Sequence, residues 1–278
     1  MARKPITTKR VNLSDCAEMV RLSELAYLPR ETAAKSAAAM GFSECHHVGN
    51  NGGAHALVVG DASRLIIAVR GTQLSDLYDV FSDSWAWPRR DYQGGFVHRG
   101  FYNYCSGIWV DLEPFLFHAQ GRDLVFTGHS LGGISALIFA AWSGVLRRVV
   151  GAPLAHVVTV GAPMGCSWGF CKAVVAQTNS ITRVTNNLDP VPFSAMWPVY
   201  RHPRSEHVHI TSAGQVVRNP TWQDRLRDFP QSLMKTAWSV MWHSMRRFSI
   251  LQAVRANFRE HDHLILNYRS RFDAHQDQ

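Results

Sequence analysis

The stretch Leu124-Val125-Phe126-Thr127-Gly128-His129-Ser130-Leu131-Gly132-Gly133 joins two apolar runs through a glycine-framed serine. The first run is short and continuous, the pattern of a strand buried on both faces. The second, from Ile134 to Trp142, is long enough for a helix. Between them stands G-x-S-x-G, at Gly128, Ser130 and Gly132. A serine can serve as a nucleophile where a sharp strand-to-helix turn lifts its Oγ clear of the sheet, and flanking glycines let strand and helix approach closely enough to make that turn. The five-residue motif alone is common by chance; a strand before it and a helix after it make Ser130 the candidate nucleophile. The next backbone N–H, that of Leu131, is then a candidate donor to an oxyanion.

Outward from this stretch the same alternation recurs. Ala54–Val59 and Arg64–Arg70 read as strands around the turn Gly60-Asp61-Ala62-Ser63, and His156–Val160 and Ile181–Thr185 are further apolar strand candidates. Helical segments are expected at about 103–118, 133–148 and 166–178. A strand pair is expected over Tyr200–Ile210 with Gln215–Arg218. Ahead of the strands, a helix over 14–28 has Ser14 as N-cap, a stripe of Cys16, Met19, Val20, Leu22 and Leu25, and Pro29 at its end. An alanine-rich helix follows at about 31–40 and stops at Gly41. Strands alternating with helices predict an α/β fold, a mostly parallel central sheet with helices on both faces. In such sheets functional residues gather at the carboxyl ends of the strands.

Bulk properties bound the alternatives. A chain of 278 residues buries roughly 75% of its unfolded surface, enough for one large core, and without repeats or long linkers it reads as a single domain over 1–278. No apolar run approaches the roughly 20 residues of a membrane span. The basic start, with Arg3, Lys4, Lys9 and Arg10, has no apolar segment behind it, so a Sec signal is not expected. A cytoplasmic location follows by default, with non-Sec export as the other route. Five scattered cysteines suit free thiols in a reducing compartment, Cys166 and Cys171 included. Fourteen histidines make no zinc spacing, so no metal or cofactor is expected. The net charge of +8 suits nucleic acid, anionic lipid or solubility alike, but no nucleic-acid recognition motif accompanies it.

A serine hydroxyl needs a histidine to take its proton and a carboxylate to orient that histidine. In α/β-hydrolases the chain order is Ser, acid, His. No Asp or Glu lies between Ser130 and Asp189, and Asp189 sits just past the strand Ile181–Thr185 in a turn closed by Pro190 and Pro192. It is the candidate acid. Histidines after it are His202, His207, His209, His243, His261, His263 and His275.

Gly128–Gly133, the turn Arg70-Gly71-Thr72, Val97-His98-Arg99-Gly100-Phe101, Val160-Gly161-Ala162-Pro163 and Asn186–Pro192 together, in this order, resemble the class 3 lipases. The resemblance runs from about residue 54 onward and implies the α/β-hydrolase fold, a serine carboxylic ester hydrolase and a lipid ester substrate. It implies His263, in Asp262-His263-Leu264 with Tyr268 beyond, as the catalytic histidine, His261 being two residues away. It supports Asp189 as the acid and implies Thr72 as the second oxyanion donor. His98, ahead of the nucleophile, reads as structural.

Two segments carry open alternatives. In 73–96, Leu74, Leu77, Tyr78, Phe81 and Trp85 recur at helical spacing; the resemblance implies a lid helix there, and a packed surface helix fits the same pattern. Over 221–260 a basic, aromatic stretch departs from the family and reads as helix packed against the sheet or as a surface for anionic membranes. Rival functions are an acyltransferase using the same three residues and a non-catalytic membrane-binding relative.

Overall fold

A computed structural model describes residues 12–49, 53–71, 88–119, 121–187, 189, 191–193, 199–211, 213–221 and 265–276. Among these, eight strands form one sheet: β1 (Glu44–Gly49), β2 (His55–Gly60), β3 (Arg64–Val69), β6 (Asp123–His129), β7 (Ala155–Val160), β8 (Thr178–Asn186), β9 (Glu206–Ile210) and β10 (Val216–Arg218), in that spatial order. The middle, β3-β6-β7-β8-β9, is parallel, and antiparallel strands complete both sides. A hairpin of β4 (Pro88–Arg90) and β5 (Phe96–His98) stands apart from the sheet.

The parallel strands read as unbroken apolar runs because both of their faces are covered. Leu65, Ile67, Val69, Leu124 and Phe126 enter one core with α3 (Arg99–Ser106), α4 (Trp109–His118), α5 (Leu131–Val149) and α6 (Trp168–Gln177). Ile66, Ala68 and Val125, the alternate positions, enter a second core with α1 (Leu13–Leu25), α2 (Arg30–Ala39) and α7 (Ile265–Gln276). The period of two along each strand thus feeds both cores. α7 lies beside α1, held by Arg269–Glu24 at 3.0 Å and by an Arg21–Asp273 pair.

Several expectations change in detail. The first helix begins at Leu13, with Asn12 rather than Ser14 as N-cap and its N–H donating to Asp15 at 3.1 Å. The helix expected over 103–118 is two, parted at Gly107-Ile108. Residues 88–98, partly inside the segment read as helical, form the hairpin, and the apolar stripe at 74–85 lies outside the described residues. So does the basic aromatic stretch from 222 to 260. Among the described residues no helix is long and apolar enough to cross a membrane, and all five cysteines are free thiols.

Candidate active site

Ser130 joins β6 to α5 with φ 59° and ψ −126°, a conformation that an L-residue adopts only under constraint. Neighbouring backbone supplies that constraint. The Ser130 N–H donates to the Val160 carbonyl at the end of β7 (2.9 Å), and the Ser130 carbonyl accepts from the Gly133 N–H (2.9 Å). The two glycines of the motif serve close packing. A Cβ on Gly128 would lie 2.4 Å from the Gly132 carbonyl, and one on Gly132 would lie 2.1 Å from the Val69 oxygen. β3, β6 and the first turn of α5 therefore meet with no room for a methyl group. Leu131 is the first residue of α5, where a backbone N–H has no intrahelical acceptor.

The Arg70-Gly71 turn lies against this elbow. A Cβ on Gly71 would stand 3.4 Å from Ser130 Cβ and 2.6 Å from the His129 carbonyl oxygen. Thr72, the next residue, lies outside the described residues, as do His261 and His263.

Asp189 is fully buried just past β8. Its N–H donates to the Asn186 carbonyl at 2.9 Å, after Asn187 has turned the chain at φ 44°. Oδ1 accepts from the Val191 N–H (2.9 Å), which closes an Asx-type turn. Oδ2 accepts from the Tyr268 hydroxyl at 2.6 Å. That hydroxyl also accepts from the Asn186 N–H at 3.1 Å, so Tyr268 fixes both the carboxylate and the strand end that presents it. The Tyr268 ring in turn meets the His129 ring edge-on, with centroids 5.9 Å apart. Through Tyr268 the candidate acid is packed against the residue that precedes the candidate nucleophile.

His202, His207 and His209, also after Asp189, are engaged with other partners. His202 Nε2 bonds the Pro192 carbonyl at 2.8 Å and pins the turn after the acid. Burial, with Arg183 nearby, lowers its pKa to about 3. His207 and His209 share the Thr185 hydroxyl, at 2.7 and 2.9 Å. His98 is packed into the structure: Nδ1 accepts from the Gly100 N–H at 3.2 Å, and the ring stacks on Phe101 with centroids 4.3 Å apart. Burial lowers its pKa to about 4. Among the described residues no group of three His, Cys, Asp or Glu side chains gathers to hold a metal.

Tyr27 is a site neighbour that sequence reasoning missed. It lies just past α1, and its hydroxyl reaches both the Gly71 N–H (3.1 Å) and His129 Nδ1 (3.2 Å). Nothing in its local pattern distinguishes it from a residue that merely ends an amphipathic helix.

Residues 66–198 match the family model described as Lipase (class 3). The chloroplastic phospholipase A1 PLIP2 of Arabidopsis thaliana is 29% identical over an alignment of 116 residues that covers 38% of this chain and 16% of that protein. The chain thus spans about a sixth of that relative's length. The triacylglyceride lipase of Rhizomucor miehei superposes with a TM-score of 0.62 at 20% identity, covering 74% of this chain and 83% of that one. A lipase from Rhizopus microsporus var. chinensis gives 0.61 at 19% identity, covering 71% and 74%. The chain therefore has the α/β-hydrolase fold and, across residues 66–198, resembles the class 3 lipases.

Proposed function

We propose that this chain is a serine carboxylic ester hydrolase acting on lipid esters, acylglycerols or phospholipids, with Ser130, Asp189 and His263 as its triad. The observation that carries the reading is Ser130 itself: a non-glycine residue at φ 59° between a central strand and a helix N-terminus. Backbone strain of this kind costs of order 1–3 kcal/mol and persists where surrounding structure enforces it. A serine serving only as a turn residue would be better replaced by glycine, so the strain favours a use for the hydroxyl.

In the proposed reaction His263 Nε2 takes the Ser130 proton as Oγ attacks the ester carbonyl carbon. The carbonyl π pair moves to oxygen, and the Leu131 and Thr72 N–H groups hold that oxyanion. Collapse expels the alcohol, which leaves with the proton His263 had taken. Water then repeats the sequence on the acyl-enzyme and releases the acid. Asp189 keeps the imidazole in the tautomer that leaves Nε2 unprotonated at the start. Its buried carboxylate, held by the Val191 N–H and the Tyr268 hydroxyl, suits that orienting role. The contact of Gly71 with the elbow supports Thr72 as a donor, and the class 3 resemblance supports His263.

The test is hydrolysis of p-nitrophenyl esters from acetate to palmitate by the wild type beside Ser130→Ala, with emulsified triacylglycerol and phospholipid as second substrates. Loss of a triad serine costs on the order of 10⁶ in kcat. Wild-type turnover abolished in the variant supports the reading, and the preferred chain length and head group define the substrate. Equal rates in the two proteins, or no turnover by the wild type with detergent or lipid present, reject it.

A further inference from the structure

The β4–β5 hairpin and the start of α6 share one surface. Arg90 stands opposite Phe96 across the hairpin. Phe96 is tied in turn to the residue before α6: its N–H donates to Ser167 Oγ at 2.7 Å, and its carbonyl accepts from the Ser167 N–H at 2.8 Å. Trp168 follows at once, and Lys172, one turn on, places Nζ 3.3 Å from the centre of the indole. Gly95 lets the hairpin come this close, since a Cβ there would lie 2.1 Å from the Phe170 nitrogen. Tyr92, Phe96 and Trp168 are 66%, 44% and 58% exposed. Large rings left in water on adjoining segments mark an interaction surface.

The exposed charge here has one sign. Arg89, Arg90 and Lys172 are exposed and form no ion pair with any described residue. Within residues 88–110 and 124–188 the sole acid is Asp91. It is 2% exposed, and its carboxylate accepts from Trp142 Nε1 and the Gln93 N–H, both at 2.9 Å. Glu113 of α4 bounds the patch, near enough to act on the Tyr92 phenol. Arg89 lies over the Tyr102 ring, 4.2 Å from its centre, with Nη1 donating to Asn103 Oδ1 at 3.1 Å. Between Arg89, Arg90, Tyr92 and Tyr102 a cup of about 350 Å³ opens to solvent.

We propose that this surface docks the protein on a lipid bilayer carrying anionic headgroups, with one lipid phosphate in the cup beside Arg89 and Arg90. Tyr92 and Trp168 supply the rings favoured at headgroup depth, and Phe96 adds apolar contact. The three cations supply attraction to the negative surface. Asp91 also lines the cup, but both of its oxygens are engaged, and two arginines outweigh it. Nucleic acid is the rival for a basic, aromatic face. A strand needs a charged groove several nucleotides long, whereas a cup of this size takes one small ligand. The surface is separate in sequence from the basic stretch over 221–260. Adsorption uses none of the proposed triad, so the inference stands apart from the ester-hydrolase reading.

The experiment is sedimentation with vesicles of phosphatidylcholine, alone or mixed with phosphatidylglycerol, using full-length Ser130→Ala so that no lipid is cleaved. Binding is expected to be at least about tenfold tighter to the mixed vesicles and to weaken as salt rises. Adding Arg90→Gln and Lys172→Gln should weaken it about 25-fold, about fivefold for each charge, while Arg90→Lys with Lys172→Arg should bind like the parent. Trp168→Ala should weaken it about tenfold at low and high salt alike. Neither Arg90 nor Lys172 makes a hydrogen bond among the described residues, so the glutamine pair should keep the parent's Tm; should it unfold instead, Arg89→Gln and Trp168→Ala carry the comparison. Equal binding to both vesicles, no binding, or tight binding that the glutamine and Trp168 variants leave unchanged overturns the proposal. Salt-sensitive binding to DNA or RNA without binding to vesicles also overturns it and gives the face to nucleic acid.

Discussion

Replacing Gly132 with alanine puts the packing of the elbow under direct test. Gly132 is the second residue of α5, and its added Cβ would sit 2.1 Å from the Val69 oxygen, 2.8 Å from the Val69 carbonyl carbon and 3.0 Å from the Arg70 carbonyl carbon. All three are backbone atoms, so no side chain can swing aside. Reaching ordinary contact at 3.4 Å requires α5 and the end of β3 to part by about 1.3 Å. Overpacking commonly costs about 1–3 kcal/mol, and rigid backbone on both sides puts this case at the upper end. At about 2–4 °C per kcal/mol for a chain of this order of size, a cost of about 3 kcal/mol should lower the unfolding temperature by roughly 6–12 °C. The same separation moves the Leu131 N–H relative to the Arg70-Gly71 turn, and a displacement near 1 Å can cost about 10²-fold in rate. The assay is kcat for a p-nitrophenyl ester beside Tm by circular dichroism, with Gly41→Ala as control. Gly41 has φ +88° but no atom within 4 Å of its would-be Cβ, so that variant carries backbone strain alone and should keep its activity. A Gly132→Ala protein with kcat within threefold and Tm within 2 °C of wild type would refute the argument.

Three further outcomes are expected. Ser130→Gly should abolish hydrolysis yet raise Tm, because it relieves the φ 59° strain, by about 1 kcal/mol; Ser130→Ala should lose activity without that gain. Tyr268→Phe removes a donor to the buried Asp189 carboxylate and should cost about 1.5–3 kcal/mol by urea denaturation, together with a lower kcat. The third concerns acid. His98 in the folded chain has its pKa lowered to about 4, so between the ordinary value of 6.5 and 4 the unfolded chain binds a proton that the folded chain refuses. The His98 contribution should be flat above about pH 7 and decline as pH falls through that window. His98→Asn, which can still accept the Gly100 N–H but does not titrate, should show a smaller drop in urea midpoint between pH 7 and pH 5; an unchanged drop would exclude His98 as a source.

What could be read from the sequence divides along physical lines. β6, the elbow and α5 were legible because strand, turn and helix are contiguous and each is set by local pattern. Asp189 stood out as the candidate acid because no other acid stands between it and Ser130. β1 was not legible. Glu44-Cys45-His46-His47-Val48-Gly49 is an edge strand with little of its surface buried, so it lacks the apolar run that marked its neighbours. The β4–β5 hairpin has only three residues in each strand, too short for any period to show. Tyr27 was invisible for a different reason. Its hydroxyl meets the Gly71 N–H, more than 30 residues away, and no local spacing encodes that meeting.

The bond from Tyr268 to Asp189 spans 79 residues, and this has a consequence for how the protein is made. A ribosome adding 5–20 residues per second takes about 4–16 s to pass from the acid to its tyrosine. Over that interval the elbow, the Arg70-Gly71 turn and β8 are already synthesised, but the carboxylate lacks its phenol and the face of α1 that α7 covers is bare. Any factor that attends this chain during synthesis would find its apolar target there, on α1. The arrival of α7 then covers that face of α1 and brings the Tyr268 hydroxyl to Asp189 in one event, so among the described residues the two are completed together.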